Sequence, residues 1–276
     1  MRSAPASRHR ILLIICDLAG TVVDYGSLAP VSAFYELFRR HGVKCTDAEI
    51  RAPMGRHKRD HIRAMLRQKE VAERWRIAHG RRWTEDDVER LFQEFVILQT
   101  ACLLAHNQPI PGAIETVAKW RREGKKVAVT TGYSIDMTRM AIDDVAKNGL
   151  RFDCACCAEE VSAGRPAPWM IYRCMEKTGV YPPAAVVKIG DTIADIEEAR
   201  NAGVWAVGVT RSGNMLGLSR DEDESLPTSE RAERLRKAEA AMLEAGAHYV
   251  VESIGDCAAV IAEIDVLLVV PDKKAV

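Results

Sequence analysis

Neither sign of charge prevails in this chain: its 276 residues carry 39 Lys plus Arg and 39 Asp plus Glu. Zero formal net charge removes the usual ground for a nucleic-acid or anionic-membrane partner, while leaving room for a local cationic pocket. Long apolar runs are missing as well. Ile11–Ile15 is shorter than a signal-peptide core and far shorter than a membrane span, so it reads as a buried strand. Without an export signal the protein is expected to be cytoplasmic and not membrane-bound, and its eight cysteines are expected as thiols. Cys154, Cys156 and Cys157 lack the paired C-x-x-C spacing of a zinc site and read as small residues on a strand. No internal repeat or low-complexity tract is found. What remains is ordinary globular composition, 47% hydrophobic and 28% charged, at a length that suits a core domain with an insertion.

Short apolar runs alternate with amphipathic stretches. Strands are expected at Ile11–Cys16, Lys126–Thr130, Phe152–Cys156, Val186–Ile189 and Trp205–Val209, with Tyr249–Val251 as a further candidate. Continuous apolar runs point to a parallel sheet covered on both faces. Helices are expected at Gly112–Arg122, Ser134–Lys147 and Thr192–Asn201. The fold class is therefore α/β, a Rossmann-like parallel-sheet core. From Pro30 to Ala105 the alternation stops, and only helical patterns occur, at Val31–His41, Asp60–Ala78 and Thr84–Leu104. The expected organisation is core at 1–29, an inserted all-helical cap domain at 30–105, and core again at 106–276. Ser212–Ala232 reads as a long charged surface connection, and the two ends, Met1–Arg10 and Pro271–Val276, as a disordered arm and a frayed tail.

Ligands of open α/β sheets bind beyond the carboxyl ends of the strands, and four polar signals fall at such ends. Asp17 opens Asp17-Leu18-Ala19-Gly20-Thr21; Thr131 lies in Thr130-Thr131-Gly132-Tyr133; Asp191 follows Gly190, with Asp195 one helical turn on; Arg165 lies between Gly164 and Pro166. Singly, each has a plain structural explanation as cap, turn or surface residue. Together they suit phosphoryl transfer. Asp17 and Asp191, with the Ala19 carbonyl, could hold Mg²⁺, a hard ion that takes oxygen ligands. Arg165 and the metal would neutralise a phosphoryl dianion, and the Thr131 hydroxyl and Gly132 N–H would hold its remaining oxygens. Asp17 would then be the nucleophile, with Asp195 orienting the metal site.

These motifs resemble those of the haloacid dehalogenase superfamily, whose phosphatases carry a second aspartate two residues after the nucleophile to protonate the leaving alkoxide. This chain has Ala19 there. Read further, Asp17–Gly26 with Met54, Gly55, Lys58 and His61, Thr130–Tyr133, Gly164–Met170 and Ile189–Thr192 resembles the phosphonoacetaldehyde hydrolase family from about Ile11 to Ile264. The resemblance implies hydrolysis of a P–C bond in 2-aminoethylphosphonate breakdown. Lys58 would form a Schiff base with a small-molecule phosphonate, His61 would move protons, and Met54 and Tyr133 would line the site. It also implies a homodimer through the cap, for which Val96, Leu98, Leu103 and Leu104 are candidates, although they could equally face the cap's own core. Members often have cysteine after D-Y-G; Ser27 stands here and keeps a hydroxyl for hydrogen bonding. Judged without the family, Lys58 reads as part of a solvated basic helix start, His61 as a surface residue, Met54 as core and Tyr133 as structural. Two alternatives stand beside P–C hydrolysis. One is a Mg²⁺-dependent phosphatase or phosphomutase acting on an ester, which Ala19 disfavours, and the other is a non-catalytic phosphometabolite-binding protein.

Overall fold

The computed structural model describes residues 10–269. The readings made for 1–9 and 270–276 lie outside the described residues. Six strands, β1 (Leu13–Asp17), β2 (Lys126–Thr131), β3 (Cys154–Cys157), β4 (Val186–Gly190), β5 (Trp205–Val209) and β6 (Tyr249–Val251), form one parallel sheet in the order β3-β2-β1-β4-β5-β6. The chain works outward from β1 to one edge and then, from β4, to the other. Its switch point lies between β1 and β4, which is where a parallel sheet opens a crevice for ligands.

Both faces of the sheet are covered, which explains the unbroken apolar runs. Ile14, Cys16, Val127 and Val129 pack against α6 (Ala113–Arg122), α7 (Ile135–Lys147) and α12 (Cys257–Val269). Leu13, Ile15 and Ala128 face the other way, onto α8 (Trp169–Thr178), α9 (Ile193–Ala202) and α11 (Thr228–Glu244). One mid-strand position in this alternation is a buried lysine. Lys188 in β4 is 1% exposed.

Between β1 and β2 come α1 (Leu28–Arg40), α2 (Asp47–Arg51), α3 (Lys58–Arg67), α4 (Lys69–His79) and α5 (Glu85–His106). They enclose an apolar core of their own, with Phe34, Phe38, Phe95 and Trp75 fully buried. The expected single helix at Asp60–Ala78 is two. Gln68 turns extended, with ψ 132, and its side-chain amide donates to the Glu49 carbonyl at 2.8 Å. Of the apolar residues considered for a subunit interface, Leu103 is buried, Val96 and Leu98 pack on this core, and Leu104 is exposed.

The two connections to this cluster run side by side. Asp24 N–H donates to the Gln108 carbonyl at 3.1 Å and Ile110 N–H to the Val22 carbonyl at 2.9 Å. Asp24, in left-handed backbone at φ 57, caps α1 by accepting from Leu28 N–H and Ala29 N–H. Ser212–Ala232 is not simply a surface connection. It contains α10 (Arg220–Ser225) and the start of α11, and Ser212, Asn214 and Asp223 within it are buried. Asp223 takes the Tyr25 hydroxyl and the Arg211 guanidinium, which ties this segment to the loop after β1.

Candidate active site

Asp17, last residue of β1, stands opposite Thr130 of β2 in the sheet register. Asp191 follows β4, across the switch point from Asp17. Carboxylate oxygens of Asp17, Asp191 and Asp195 all lie within 4.8 Å of one another, so the three could hold a metal ion. All are buried. Burial pushes Asp17 and Asp191 up, and repulsion from the neighbouring carboxylates adds to it; both effects favour a cation among them. Oxygen donors without sulfur or imidazole suit a hard divalent ion. Asp191 is fixed by two donors, the Thr21 hydroxyl at 3.1 Å and Asn214 N–H at 2.7 Å.

Asp195 is the exception among the three: burial opposes its charge, but Arg165 and Lys188 hold its carboxyl below the usual range. Its Oδ2 accepts from Thr192, closing the capping box that starts α9, and its Oδ1 faces Lys188 Nζ at 2.8 Å and Arg165 Nε at 3.2 Å. Its direct contacts are therefore with the cations of the site rather than with Asp191. Glu198, one turn along α9, accepts from Arg165 Nε at 3.0 Å. Lys188, Glu198 and Thr130 were not foreseen. A lysine in the run Val186-Val187-Lys188-Ile189 has no local sign of its partners; the one signal that could have found them is the spacing of Asp195 and Glu198, three apart on α9 and so on one face of it.

Arg165 is 5% exposed and its guanidinium is engaged on every side. Nη2 donates to Asp17 Oδ1 at 2.5 Å and to Thr130 Oγ1 at 2.8 Å, and Nη1 donates to the Gly55 carbonyl at 3.3 Å. Its charge stays fixed, because the desolvation penalty is outweighed by Asp17, Asp195 and Glu198.

The helical cluster contributes the other wall. Lys58 is the first residue of α3, 4% exposed, with its Nζ 5.6 Å from the Tyr133 ring centroid and 5.7 Å from that of Phe34. Burial pushes its amine down to about 8, against a pull upward from Asp17. The solvated-helix reading of this residue is thus replaced by a buried one. One small cavity, of about 20 Å³, is lined by Asp17, Ala19, Ser27, Met54, Gly55, Lys58, Thr131, Gly132, Tyr133 and Arg165, together with Pro30, Arg56 and Thr192. Gly132 marks where the two halves touch: a Cβ there would stand 2.6 Å from the Arg56 carbonyl oxygen. The Thr131 hydroxyl accepts from Tyr133 N–H at 3.2 Å, shaping the turn after β2. Ser27 is buried in left-handed backbone, φ 53. His61 is buried rather than on the surface. It stacks on Phe34 at 3.9 Å, and its Nε2 meets the Ile50 carbonyl at 2.8 Å. A proton on Nε2 leaves Nδ1 as a bare acceptor, and Nδ1 has no partner among the described residues. Burial, with Lys58 nearby, holds the ring neutral.

A family model described as haloacid dehalogenase-like hydrolase matches residues 14–209. The phosphonoacetaldehyde hydrolase of Nitratidesulfovibrio vulgaris (strain DSM 19637 / Miyazaki F) is 44% identical over 255 residues, 92% of this chain and 91% of the relative. The chain belongs to the phosphonoacetaldehyde hydrolase family. Another phosphonoacetaldehyde hydrolase, from Bacillus cereus (strain AH820), is 38% identical over 93% of this chain and 97% of its own length. The crystal structure of a phosphonoacetaldehyde hydrolase-like protein from Oleispira antarctica superposes with TM-score 0.95 at 36% identity, covering 99% of each chain. More than nine-tenths of each of these relatives is thus matched, a span that takes in the helical cluster. Among the described residues no helix is long and apolar enough to cross a membrane, and all eight cysteines are free thiols.

Proposed function

We propose that this enzyme hydrolyses the carbon–phosphorus bond of phosphonoacetaldehyde to acetaldehyde and phosphate. One observation carries the proposal: the Lys58 amine, which burial lowers to about 8, and the Asp17 carboxylate line the same small cavity, from opposite halves of the molecule. With its amine lowered to about 8, roughly one Lys58 in ten is uncharged at pH 7, against about one in three thousand at the ordinary lysine value. The positive end of α3 works in the same direction.

The chemistry then follows from the residues. Uncharged Lys58 adds to the aldehyde, water leaves, and a protonated imine results. Asp17 attacks phosphorus; the P–C bonding pair moves into the imine, giving an enamine and an aspartyl-phosphate. Protonation and hydrolysis of the enamine release acetaldehyde and free Lys58, and water releases phosphate from Asp17. Because the leaving group departs on carbon, no acid is needed where ester-cleaving relatives keep one, and Ala19 suffices. Arg165 orients Asp17 and faces the phosphoryl oxygens, with the Thr131 hydroxyl and Gly132 N–H holding the others. Asp17, Asp191 and the Ala19 carbonyl would hold Mg²⁺, which supplies the positive charge that lets two anions approach. Asp195 fixes Arg165 and Lys188 beside them. His61, held neutral, would offer Nδ1 as a hydrogen-bond acceptor to the groups formed on Lys58 and so guide proton movement there, while Met54, Tyr133 and Ser27 would contact the two-carbon unit and the phosphoryl group.

In this scheme residues 30–105 act as a cap over the core formed by 1–29 and 106–276, opening to admit substrate and closing to exclude water. A homodimer through the cap would use Ile97 and Leu104, which are 71% and 45% exposed. A cytoplasmic setting suits eight unpaired thiols. The test is phosphate release from phosphonoacetaldehyde and from simple phosphomonoesters, side by side with Mg²⁺. Faster turnover of the esters would replace the proposal with an ester phosphatase or phosphomutase.

A further inference from the structure

Helix α2 ends in an arginine whose guanidinium leaves the helical cluster. Arg51 Nε stays on Asp47 Oδ2 at 2.8 Å. Nη1 donates to the Gly26 carbonyl at 2.8 Å and to Asn214 Oδ1 at 3.2 Å, and Nη2 to the Gly217 carbonyl at 3.0 Å. Asn214 returns the contact, its side-chain amide donating to the Arg51 carbonyl at 3.3 Å. At Gly217 a Cβ would stand 2.7 Å from Arg51 Nε, so the core loop is shaped to receive this side chain. A buried guanidinium is tolerated only where its donors are satisfied, and most of these acceptors belong to the core. Moving the cap away would strand them.

Asn214 has a second bond in the other direction. Its backbone N–H donates to Asp191 Oδ2 at 2.7 Å. The chain of contacts therefore runs from a cap helix, through one core asparagine, to a carboxylate of the acidic cluster.

We propose that Arg51 and Asn214 are positioning residues that couple closure of the cap to the orientation of Asp191, so that metal affinity and cap closure form one equilibrium. This rests on the reading of Asp191 as a metal ligand. By linkage, whatever factor closure adds to metal affinity, the metal adds to closure.

The experiment is calorimetric titration of Mg²⁺ alone into the full chain, for wild type, Arg51→Ala, Asn214→Ala and Asp191→Asn, with limited proteolysis of each with and without Mg²⁺. Arg51→Ala and Asn214→Ala are each expected to bind Mg²⁺ about tenfold more weakly and to lose the protection that Mg²⁺ gives the wild-type cap connections. In both, KM should rise by a larger factor than kcat falls. Arg51, Asp47 and Asn214 line a cavity of about 480 Å³, so methylguanidinium can reach the gap and should restore Mg²⁺ affinity to Arg51→Ala. Asn214→Ala keeps the N–H that meets Asp191 and removes only the tether; it decides the matter if Arg51→Ala does not fold. Wild-type Mg²⁺ affinity in the tether variants, with Asp191→Asn unable to bind, would overturn the coupling alone. Wild-type affinity in Asp191→Asn would overturn the metal reading itself.

Discussion

Replacing Lys58 with methionine should abolish turnover and at the same time stabilise the protein at neutral pH. The side chain is 4% exposed, and burial lowers its amine from 10.5 to about 8. A difference of that size corresponds to about 3 kcal/mol against the charged form in the fold, at about 1.4 kcal/mol per pH unit. Below pH 8 folded and unfolded chains both carry the proton, and the native state bears the full penalty. Between 8 and 10.5 only the unfolded chain holds it, so stability rises with pH; above 10.5 neither holds it and the penalty is gone. Methionine fills much of the same volume without a charge. At pH 7 the variant should gain about 3 kcal/mol, or roughly 6 °C in Tm for a chain of this size, and the gap should close as pH climbs through 8 toward 10. Thermal unfolding of both proteins at pH 6, 7, 8 and 9 measures it. A variant less stable than wild type at pH 7, or a gap that does not change with pH, would refute the buried-amine argument.

The same titration should appear in catalysis. Below pH 8 kcat/KM should rise about tenfold per unit and level off above it, followed as acetaldehyde release; a flat profile from pH 6 to 9 would mean that no amine titrates in the free enzyme. Lys58→Arg keeps a cation but cannot form an imine, so P–C cleavage should fall by at least about 10³-fold, and activity within tenfold of wild type would remove the Schiff base from the mechanism. Gly132→Ala places a Cβ 2.6 Å from the Arg56 carbonyl and should force the loop that carries Gly55 and Arg56 outward. A loss of about 10- to 100-fold in kcat/KM is expected at little cost in Tm, and unchanged kinetics would show that the loop does not pack this closely during turnover.

Three of the site residues could be read ahead of the structure because a polar residue that ends an apolar run marks the carboxyl edge of a parallel sheet. Asp17, Thr131 and Asp191 each follow an apolar run, and Arg165 precedes a helix. Lys58 could not be placed from local chemistry. Arg56, His57, Arg59 and His61 around it suggest solvent, and the rings that bury it, Phe34, Phe95 and Tyr133, come from distant segments; the role proposed for it rests on the family resemblance. Lys188 was illegible for a related reason, since its partners Thr130, Asp195 and Glu198 meet it only in the folded sheet. The break at Gln68 lacks glycine or proline, and the bond that holds it, to the Glu49 carbonyl, is tertiary. The segment after β5 looked like surface because its composition is charged, yet Asn214 and Asp223 are enclosed by their partners Arg51, Asp191, Tyr25 and Arg211.

Trapping the imine tests the central claim most directly. Wild-type enzyme mixed with phosphonoacetaldehyde and Mg²⁺, reduced with borohydride and digested, should yield one two-carbon adduct mapped by mass spectrometry to Lys58, absent in Lys58→Met. Reduction that labels a different lysine, or leaves Lys58 unmodified while turnover proceeds, would contradict the account.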